Sequence, residues 1–520
     1  MPMYLTQSLR RAVQCHAKRT ATISSPRQRT YADHADRVAR LAAVLQSLGL
    51  ERGGRVGMLA LNSDRYVEYF YGTWWAGGAV NPVNFRWSAA EIAYSMDDCD
   101  TRILLVDEQF KSTGVDLLGR SRSLRTLIYT GDGPTPDGML SYEALLEATA
   151  PVPDANCSGP DLAAVMYTGG TTGFPKGVML SHDNLCANAL AALAASVTRA
   201  DGRALLIAPL FHIAAVTLML AHGTACGTFV IAPVFTPLAT LQAVQQHHVT
   251  HLLLVPTMIQ MTVDHPDAGQ YDLGSLVSLL YGGSVISASV LQRAMQRFPN
   301  ASFVQVYGMT ELSPCATYLS AEDHRSAGTR PEMLRSAGRA TLSTEVRIVD
   351  EQGLEVPMGT VGEVAVRGAN VMLGYWNKPE QTAAVLRQGW MHTGDGGRLD
   401  QDGYLYIVDR LKDMIVSGGE NVYSAEVENA LAQHPGVGTT AVIGIPSDQW
   451  GEAVHAVVVL KSGASATAED LIAHCHGLIA NYKCPRSVEF RDSLPTTGAG
   501  KVQKTELRKS HWEGRTRAVN

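Results

Sequence analysis

The chain of 520 residues lacks several features that mark whole classes of protein. Its eight cysteines are scattered, with no C-x-x-C pair and no zinc-ligand spacing, which predicts reduced thiols in a cytoplasm. The 43 basic and 49 acidic residues leave a net charge of -6, so no strong positive field attracts nucleic acid. The N-terminal stretch MPMYLTQSLRRAVQ has no apolar core of an export signal. Repeats and low-complexity linkers are absent as well.

One uncharged segment, 213–235, is long enough to suggest a membrane span. His222, Gly223, Gly227 and Pro233 interrupt it, and its end is rich in strand-forming residues. We therefore expect a buried helix followed by a buried strand, and no transmembrane segment.

Short apolar runs alternate with helix-like stretches along the chain. Runs such as 56–59, 102–106 and 252–255 read as strands, whereas 32–46 and 288–298 read as helices. This alternation predicts an α/β protein with layered sheets. The pattern of predicted strands and helices changes near 409–412. We therefore expect a large multi-sheet N-terminal domain at 1–409, a small α+β C-terminal domain at 410–520 and a short hinge near 410–412.

The stretch from Tyr167 to Gly177 reads YTGGTTGFPKG and is rich in glycine and threonine, with one lysine. Glycine lets the backbone approach a ligand closely, so the loop predicts a phosphate cradle. It does not fit the P-loop pattern, because Pro175 stands where the second glycine is required. Apolar runs on both sides indicate strand, loop and strand, with a helix starting after Ser181. A mobile surface turn is the alternative.

Six further strings accompany this loop. They are YGGS (281–284), YGMTE (307–311), HTGD (392–395), DRLKD (409–413), SGGEN (417–421) and PTTGAGK (495–501). In this order and spacing the sequence resembles the adenylate-forming superfamily, in its acyl-CoA synthetase and fatty-acid-CoA ligase branch. The resemblance extends from about Tyr31 to Lys504.

The resemblance implies a binding site for ATP and AMP. Its expected members are Thr168, Gly169, Gly170, Thr171, Thr172, Lys176, Gly282, Gly283, Ser284, Tyr307, Gly308, Asp395 and Arg410. Thr310 is expected at the α-phosphate and Glu311 at Mg²⁺, since carboxylates suit a hard cation. An ordinary exposed acid is the alternative for Glu311.

The resemblance implies two half-reactions, adenylation and acyl transfer to coenzyme A, and assigns residues of the C-terminal strings to each. Lys501 is expected to bridge carboxylate and phosphate oxygens during adenylation, and Lys412 to be the hinge residue, with a plain surface lysine as the alternative. After domain rotation, coenzyme A would meet the residues Gly418, Gly419, Glu420, Trp450, Tyr482 and Arg86. Core packing is the alternative for the two aromatic residues.

The segment 209–216 resembles the part of the family that borders the substrate carboxylate. His212 is expected there as a catalytic residue, although a core histidine is the alternative. Ala214, Ala215 and Val216 are expected to line the acyl pocket, and their apolar character favours a fatty or aryl acid.

We therefore expect an AMP-forming acyl-CoA ligase that uses ATP, Mg²⁺ and coenzyme A. Its expected partners are small molecules, with no nucleic acid, and a homodimer is left open. Two alternatives remain, namely an acyl-AMP ligase that loads a carrier protein and a non-catalytic acyl or nucleotide-binding protein.

Overall fold

The computed structural model describes residues 3–168, 175–195, 198–284, 286–326, 330–410, 413–417, 420–447, 449–497 and 501–513, without the side chains of Pro331 and Arg410.

Helices and strands alternate through the first part of the chain. The elements are α1 (Gln7–His16), β1 (Thr20–Ser24), β2 (Arg27–Thr30), α2 (Tyr31–Ser47), β3 (Arg55–Leu59), α3 (Asp64–Trp75), β4 (Ala79–Pro82), α4 (Ala89–Asp98), β5 (Ile103–Val106), α5 (Lys111–Arg120), β6 (Thr126–Tyr129), β7 (Leu140–Ser141) and α6 (Tyr142–Ala148).

The alternation continues through the segments that carry most of the motifs. Here lie β8 (Leu162–Thr168), β9 (Lys176–Ser181), α7 (His182–Ala194), β10 (Arg203–Leu206), α8 (Ile213–Thr224), β11 (Thr228–Ile231), α9 (Pro237–His247), β12 (His251–Leu254), α10 (Pro256–Val263), β13 (Ser278–Gly282), α11 (Ala288–Arg297), β14 (Ser302–Gly308), β15 (Cys315–Leu319), α12 (Ala321–Ser326) and β16 (Arg339–Ala340).

Two groups of shorter elements complete the fold. The first is β17 (Thr344–Val349), β18 (Gly362–Gly368), β19 (Gly374–Tyr375), α13 (Pro379–Val385), β20 (Leu386–Arg387), β21 (Trp390–Leu399) and β22 (Leu405–Arg410). The second is β23 (Ile415–Ser417), β24 (Glu420–Val422), α14 (Ser424–Leu431), β25 (Val437–Ser447), β26 (Gly451–Leu460), α15 (Ala468–His476), β27 (Ser487–Phe490) and α16 (Lys504–Lys509).

The described strands form four sheets. One has the order β16-β15-β14-β13-β12-β10-β11-β1-β2, and another has the order β19-β9-β8-β4-β3-β5-β6-β7. A third joins β17, β18, β21 and β20, with β22 on β21, and the fourth joins β24, β23, β26 and β25, with β27 on β26. The expected fold, with a large multi-sheet N-terminal domain and a small C-terminal domain, is confirmed.

The two large sheets share one hydrophobic core, to which α2, α3, α7 and α8 contribute. Helix α3 carries a run of aromatic residues that are fully buried there, including Tyr66, Phe70 and Trp74. Aromatic side chains remove much apolar surface from water, which strongly favours burial of this helix. The shared core thereby holds the two large sheets together, and several of the sequence motifs lie at the ends of their strands.

The helix predicted after Ser181 is confirmed as α7. The Ser181 hydroxyl accepts a hydrogen bond from the backbone of Asn184 at 3.1 Å, and the Asn184 side chain accepts one from the Ser181 backbone at 2.9 Å. This reciprocal capping starts the helix directly at the end of β9. The strand predicted at 252–255 ends one residue earlier, because Val255 is the N-cap of α10 and Pro256 its first residue.

The uncharged segment 213–235 folds as a helix and a strand, as expected, namely α8 and β11. None of the helices in the described ranges combines the length and the apolar character needed to cross a membrane.

The parallel strands of the first sheet bring several motifs to one edge. Strands β10, β12, β13 and β14 run parallel, so their carboxyl ends meet at the same side of the sheet. His212 follows β10, Gly282 ends β13 and Gly308 ends β14. Ligands bind at this edge in open α/β sheets, which places the candidate site there.

A buried asparagine holds the turn that follows this edge. The Asn370 amide is fully buried and donates to the carbonyl groups of Leu312 and Cys315 at 2.9 and 3.0 Å. Asn188 donates to the Cys315 carbonyl as well, at 3.1 Å. The turn that carries Glu311 is therefore anchored from beneath.

We expect Asn370→Ala to lower the free energy of unfolding by about 1–3 kcal/mol, because it removes two buried hydrogen bonds and leaves Asn188 as the remaining amide donor to these carbonyl groups. Chemical denaturation measures the loss. As a control, Asn300→Ala removes an exposed amide that donates to Gly274 at 3.1 Å, and should change stability by less than about 0.5 kcal/mol. Equal stability of the two variants would refute the anchoring role of Asn370.

Candidate active site

The glycine- and threonine-rich loop, which is predicted to bind phosphate, joins two antiparallel strands. Thr168, at the end of β8, pairs with Lys176, at the start of β9. The expected strand, loop and strand arrangement is thus confirmed for the residues on either side of the loop. Gly169, Gly170, Thr171 and Thr172 lie outside the described residues. The Lys176 ammonium group lies 5.1 Å from the centre of the Tyr375 ring, within range of a cation–π contact.

The YGGS string lies where backbone packing is tight. A Cβ atom at Gly282 would come within 2.1 Å of the Val306 carbonyl oxygen, and Gly283 has a φ of +82°. Both positions require glycine, the first for space and the second for conformation. Ser284 beside them is exposed. The result is a bare stretch of backbone against which a flat ring can lie.

The YGMTE string turns sharply after β14. A Cβ atom at Gly308 would come within 1.8 Å of the Pro314 carbonyl oxygen, so the chain folds back closely on itself. Thr310 and Glu311 form a short 3-10 turn. Glu311 is buried and accepts a hydrogen bond from the Tyr375 hydroxyl at 2.8 Å. The alternative of an exposed acid is therefore wrong.

Asp395 lies on β21, which reaches the same site from the third sheet. Its carboxylate accepts a hydrogen bond from the Tyr307 hydroxyl at 2.7 Å. Glu363 holds the part of β21 that precedes Asp395, because it accepts from the His392 ring at 2.8 Å and from the Gly394 backbone at 2.9 Å. Asp395 pairs in register with Arg410, although the side chain of Arg410 lies outside the described part.

Lys501 crosses from the C-terminal domain to this edge of the N-terminal sheet. Its Cε and Nζ atoms would lie 3.5 and 4.0 Å from a Cβ atom at Gly283. Its charge also acts on His212, which follows β10. The lysine thus lies against the backbone of the YGGS string, close enough for its charge to affect His212.

His212 is the N-cap residue of α8 and is half-buried. Its Nδ1 atom accepts a hydrogen bond from the Ala214 backbone at 3.3 Å. Burial, and secondly the positive charge of Lys501, lower the pKa of His212 to about 4. The ring is therefore neutral at neutral pH. Next to it, Phe211 makes an edge contact with Phe85 at 5.1 Å, which brings the segment of Arg86 beside the site.

Among the described residues expected to meet coenzyme A, Glu420, Trp450 and Tyr482 lie in the C-terminal domain, whereas Arg86 lies in the N-terminal domain. Trp450 and Tyr482 are 36% and 40% exposed, so core packing does not explain them. Arg486 lies 5.1 Å from the Trp450 ring, and Lys483 lies 5.7 Å from the Tyr482 ring. Glu420 and Arg86 are exposed. Gly418, Gly419 and the hinge residue Lys412 lie outside the described residues.

The sequence motifs did not identify Tyr375. Its hydroxyl group holds Glu311, and its ring lies beside Lys176, so it connects the expected metal ligand with the phosphate loop. It follows Gly374 in a two-residue strand that pairs with β9. No local pattern in the sequence distinguishes such a tyrosine from a packing residue.

Comparison with known proteins agrees with this geometry. Residues 9–376 match the AMP-binding enzyme family, and residues 426–501 match the C-terminal domain of AMP-binding enzymes. The chain belongs to the AMP-binding enzyme family. The resemblance to adenylate-forming enzymes is thus confirmed, and the predicted hinge near 410–412 lies between the two matched regions.

Named relatives cover almost the whole of this AMP-binding enzyme. A feruloyl-CoA synthase of Amycolatopsis sp. is 42% identical over 484 residues, which are 92% of this chain and 93% of the relative. The medium/long-chain-fatty-acid–CoA ligase FadD8 of Mycobacterium tuberculosis is 37% identical over 93% of this chain and 86% of the relative. The crystal structure of the anthranilate CoA ligase AuaEII with anthranoyl-AMP has a TM-score of 0.91 and 26% identity, and covers 98% of each chain.

For this AMP-binding enzyme we expect Tyr375→Phe to lower kcat/KM for ATP by about 10- to 100-fold, because a hydrogen bond to a charged group is lost. Steady-state kinetics at varied ATP concentration measures the effect. Tyr404→Phe is the matched control, since its hydroxyl donates to the Asp323 carboxylate at 2.7 Å in a separate cluster. The same kinetic loss in both variants would show that Tyr375 acts only through stability.

The position of Lys501 can be tested without catalysis. We expect Lys501→Ala to raise the pKa of His212, although it should stay below the ordinary value of about 6.5 because burial is the larger cause. Because the pKa of His212 is lower in the folded than in the unfolded protein, burial of the neutral ring contributes to the free energy of unfolding. This contribution is fully present above about pH 6.5 and is lost as the pH falls toward 4. NMR titration of the His212 ring measures the shift, with Lys509→Ala as the control for an exposed lysine. An unchanged titration would place Lys501 elsewhere in solution.

Proposed function

We propose that this protein is an AMP-forming acyl-CoA ligase that activates an apolar carboxylic acid with ATP and transfers the acyl group to coenzyme A. The observation that carries the proposal is the placement of Lys501 against Gly283, at the carboxyl end of β13, where its charge also lowers the pKa of His212. A cation at this point faces both the expected nucleotide surface and the expected carboxylate. The CoA ligases among the relatives support the same reaction class.

In the first half-reaction the substrate carboxylate attacks the α-phosphorus of ATP, which forms an acyl adenylate and releases pyrophosphate. Negative charge grows on the oxygen atoms around the phosphorus, and Lys501 and Thr310 are the donors proposed to stabilise it. Asp395, held by the Tyr307 hydroxyl, is proposed to accept the two ribose hydroxyl groups. Gly282, Gly283 and Ser284 offer the surface for adenine.

The nucleotide chemistry implies Mg²⁺, and the donor set fits this ion. Glu311 is a buried carboxylate that Tyr375 holds in place, and carboxylate oxygens are ligands that Mg²⁺ prefers. We propose that Glu311 would hold the ion, which would neutralise phosphate charge when bound. Lys176, Thr168 and the loop residues Gly169, Gly170, Thr171 and Thr172 are proposed to bind the β- and γ-phosphates.

In the second half-reaction the thiolate of coenzyme A attacks the acyl carbon of the adenylate and AMP is released. We propose that the C-terminal domain rotates about the hinge near 410–412, with Lys412 as the hinge residue and Arg410 as a ribose contact. Asp409 is bound to this domain, because it accepts from the Ser424 hydroxyl group at 2.6 Å. Since Asp409 precedes the hinge and Ser424 follows it, rotation would break this contact.

The proposed acceptor passage combines Gly418, Gly419 and Glu420 with the exposed side chains of Trp450, Tyr482 and Arg86. Exposed aromatic rings with a cation nearby can stack on an adenine base, and an exposed arginine can pair with phosphate. Cys484 is fully buried and adds no contact on this surface.

An apolar acid is supported by the start of α8. Ala214 is half-buried next to His212, whereas Ala215 and Val216 are buried in the core that the two large sheets share. Their role in the acyl pocket stays a proposal. Of the two acid types, we favour an aryl acid, because a relative named for feruloyl-CoA is 42% identical and a fatty-acid relative 37% identical.

A carrier-protein acceptor and a non-catalytic binding protein remain the alternatives. The second is disfavoured because Lys501, Glu311 and Asp395 are arranged together around one edge. A cytoplasmic location is proposed from the cysteines, all of which are free thiols.

Two assays with full-length protein test the proposal. CoA-dependent AMP formation is measured with aryl acids and with fatty acids from C2 to C18, and thioester formation with free coenzyme A is measured directly. Lys501→Ala is then assayed in each half-reaction. We expect adenylate formation to fall about 10²- to 10³-fold, while coenzyme A attack on supplied acyl adenylate is retained.

The control variant is Lys509→Ala, which removes an exposed lysine of α16 and should leave both half-reactions unchanged. Adenylate formation without thioester formation would favour the alternative of an acyl-AMP ligase that loads a carrier protein. Pyrophosphate release that does not depend on any acid would contradict the ligase assignment. Equal losses in both half-reactions would contradict the role given to Lys501.

A further inference from the structure

A second cluster of chemically active side chains lies in the C-terminal domain, on the face of the sheet that α16 covers. His455 lies on β26, Glu489 on β27 and His511 just after α16. Each offers one ligand atom, and these atoms all lie within 4.8 Å of one another. The proposed reaction uses none of the three.

The burial and the hydrogen bonding of His455 suit it to bind a metal ion. It is 6% exposed, and its Nδ1 atom is 2.7 Å from the Ser487 hydroxyl group on the neighbouring strand. With Nδ1 as the donor, the lone pair lies on Nε2, which has no hydrogen-bond partner within the described residues although it is buried. An imidazole whose other nitrogen is held by a hydrogen bond is the usual arrangement of a metal-bound histidine.

The distances suit a small tetrahedral cation. Ligand atoms at about 2.05 Å from Zn²⁺ lie about 3.4 Å apart in a tetrahedron. His455 Nε2 and Glu489 Oε2 are 3.5 Å apart, so this pair already has the required separation. The His511 ring centre lies 5.1 Å from that of His455, and the ring is half-buried, so a small side-chain rotation brings its nitrogen into place.

Charge sets the expected strength of binding. Arg491 holds the other carboxylate oxygen of Glu489 at 2.5 Å, which orients the side chain but places a positive charge near the cluster. This charge opposes a cation, so we expect micromolar rather than nanomolar affinity. Two imidazoles and one carboxylate favour Zn²⁺, whereas Mg²⁺ prefers oxygen ligands alone.

We propose that His455, Glu489 and His511 form a zinc-binding site, with water as the fourth ligand, that ties the segment after α16 to β26 and β27. On the same face of the sheet, Leu507 of α16 packs with Ile443 and Val457. Because α16 begins three residues after Lys501, the site would stabilise the segment that carries this lysine. The inference does not depend on the ligase function.

The test uses full-length protein, freed of metal with a chelator and kept reduced, without ATP or coenzyme A. Zn²⁺ is titrated by calorimetry, and the thermal midpoint is measured with and without Zn²⁺. We expect one saturable site of micromolar affinity and a midpoint that rises by a few degrees, since a ligand that binds only the folded state stabilises it.

The variants are His511→Ala and Glu489→Gln, which change partly exposed side chains and spare the buried His455. Each should weaken the saturable site at least tenfold and remove the thermal shift. The control is His474→Gln, which changes a histidine of the separate His434–His474 ring pair, 5.2 Å apart, and should leave binding unchanged. Absence of saturable binding, or an affinity in His511→Ala and Glu489→Gln equal to that of the unsubstituted protein, would overturn the proposal.

Discussion

The position of one positive charge governs the organisation of this enzyme. Lys501 belongs to the small domain, yet it lies against Gly283 at the end of β13 and lowers the pKa of His212. A charge in this place can act on a substrate only while the two domains keep this orientation. The glycine at position 283 makes room for the lysine, and the packing of α16 against the C-terminal sheet lies three residues beyond it.

The other candidate site residues are held in place by hydrogen bonds with neighbouring side chains. Tyr375 holds Glu311, Tyr307 holds Asp395, and Glu363 holds the strand backbone just before Asp395. Asn370 supports the turn of Glu311 from below. A buried carboxylate with fixed partners needs little rearrangement when a nucleotide arrives, which is the physical benefit of such pre-organisation.

Much of the fold could be read from local patterns. The strands β3 and β5, the helices α2 and α11 and the start of α7 follow from apolar periodicity and from the capping residue Ser181. The order of strands in the sheets could not be read in the same way. Strand β19, for example, pairs with β9 across almost 200 positions of sequence, and no local pattern encodes such a pairing.

The sequence alone determined the family and the two-domain architecture and predicted Lys501, Glu311 and Asp395 as site residues, because strings of unusual composition follow one another in an order typical of the family. Tertiary structure alone decided that Tyr375 holds Glu311, that Trp450 and Tyr482 face solvent, and that His455, Glu489 and His511 converge. The physical reason is that distances between side chains far apart in the chain depend on sheet order and helix packing. These arise from the summed burial of apolar surface over the whole domain and leave no local trace.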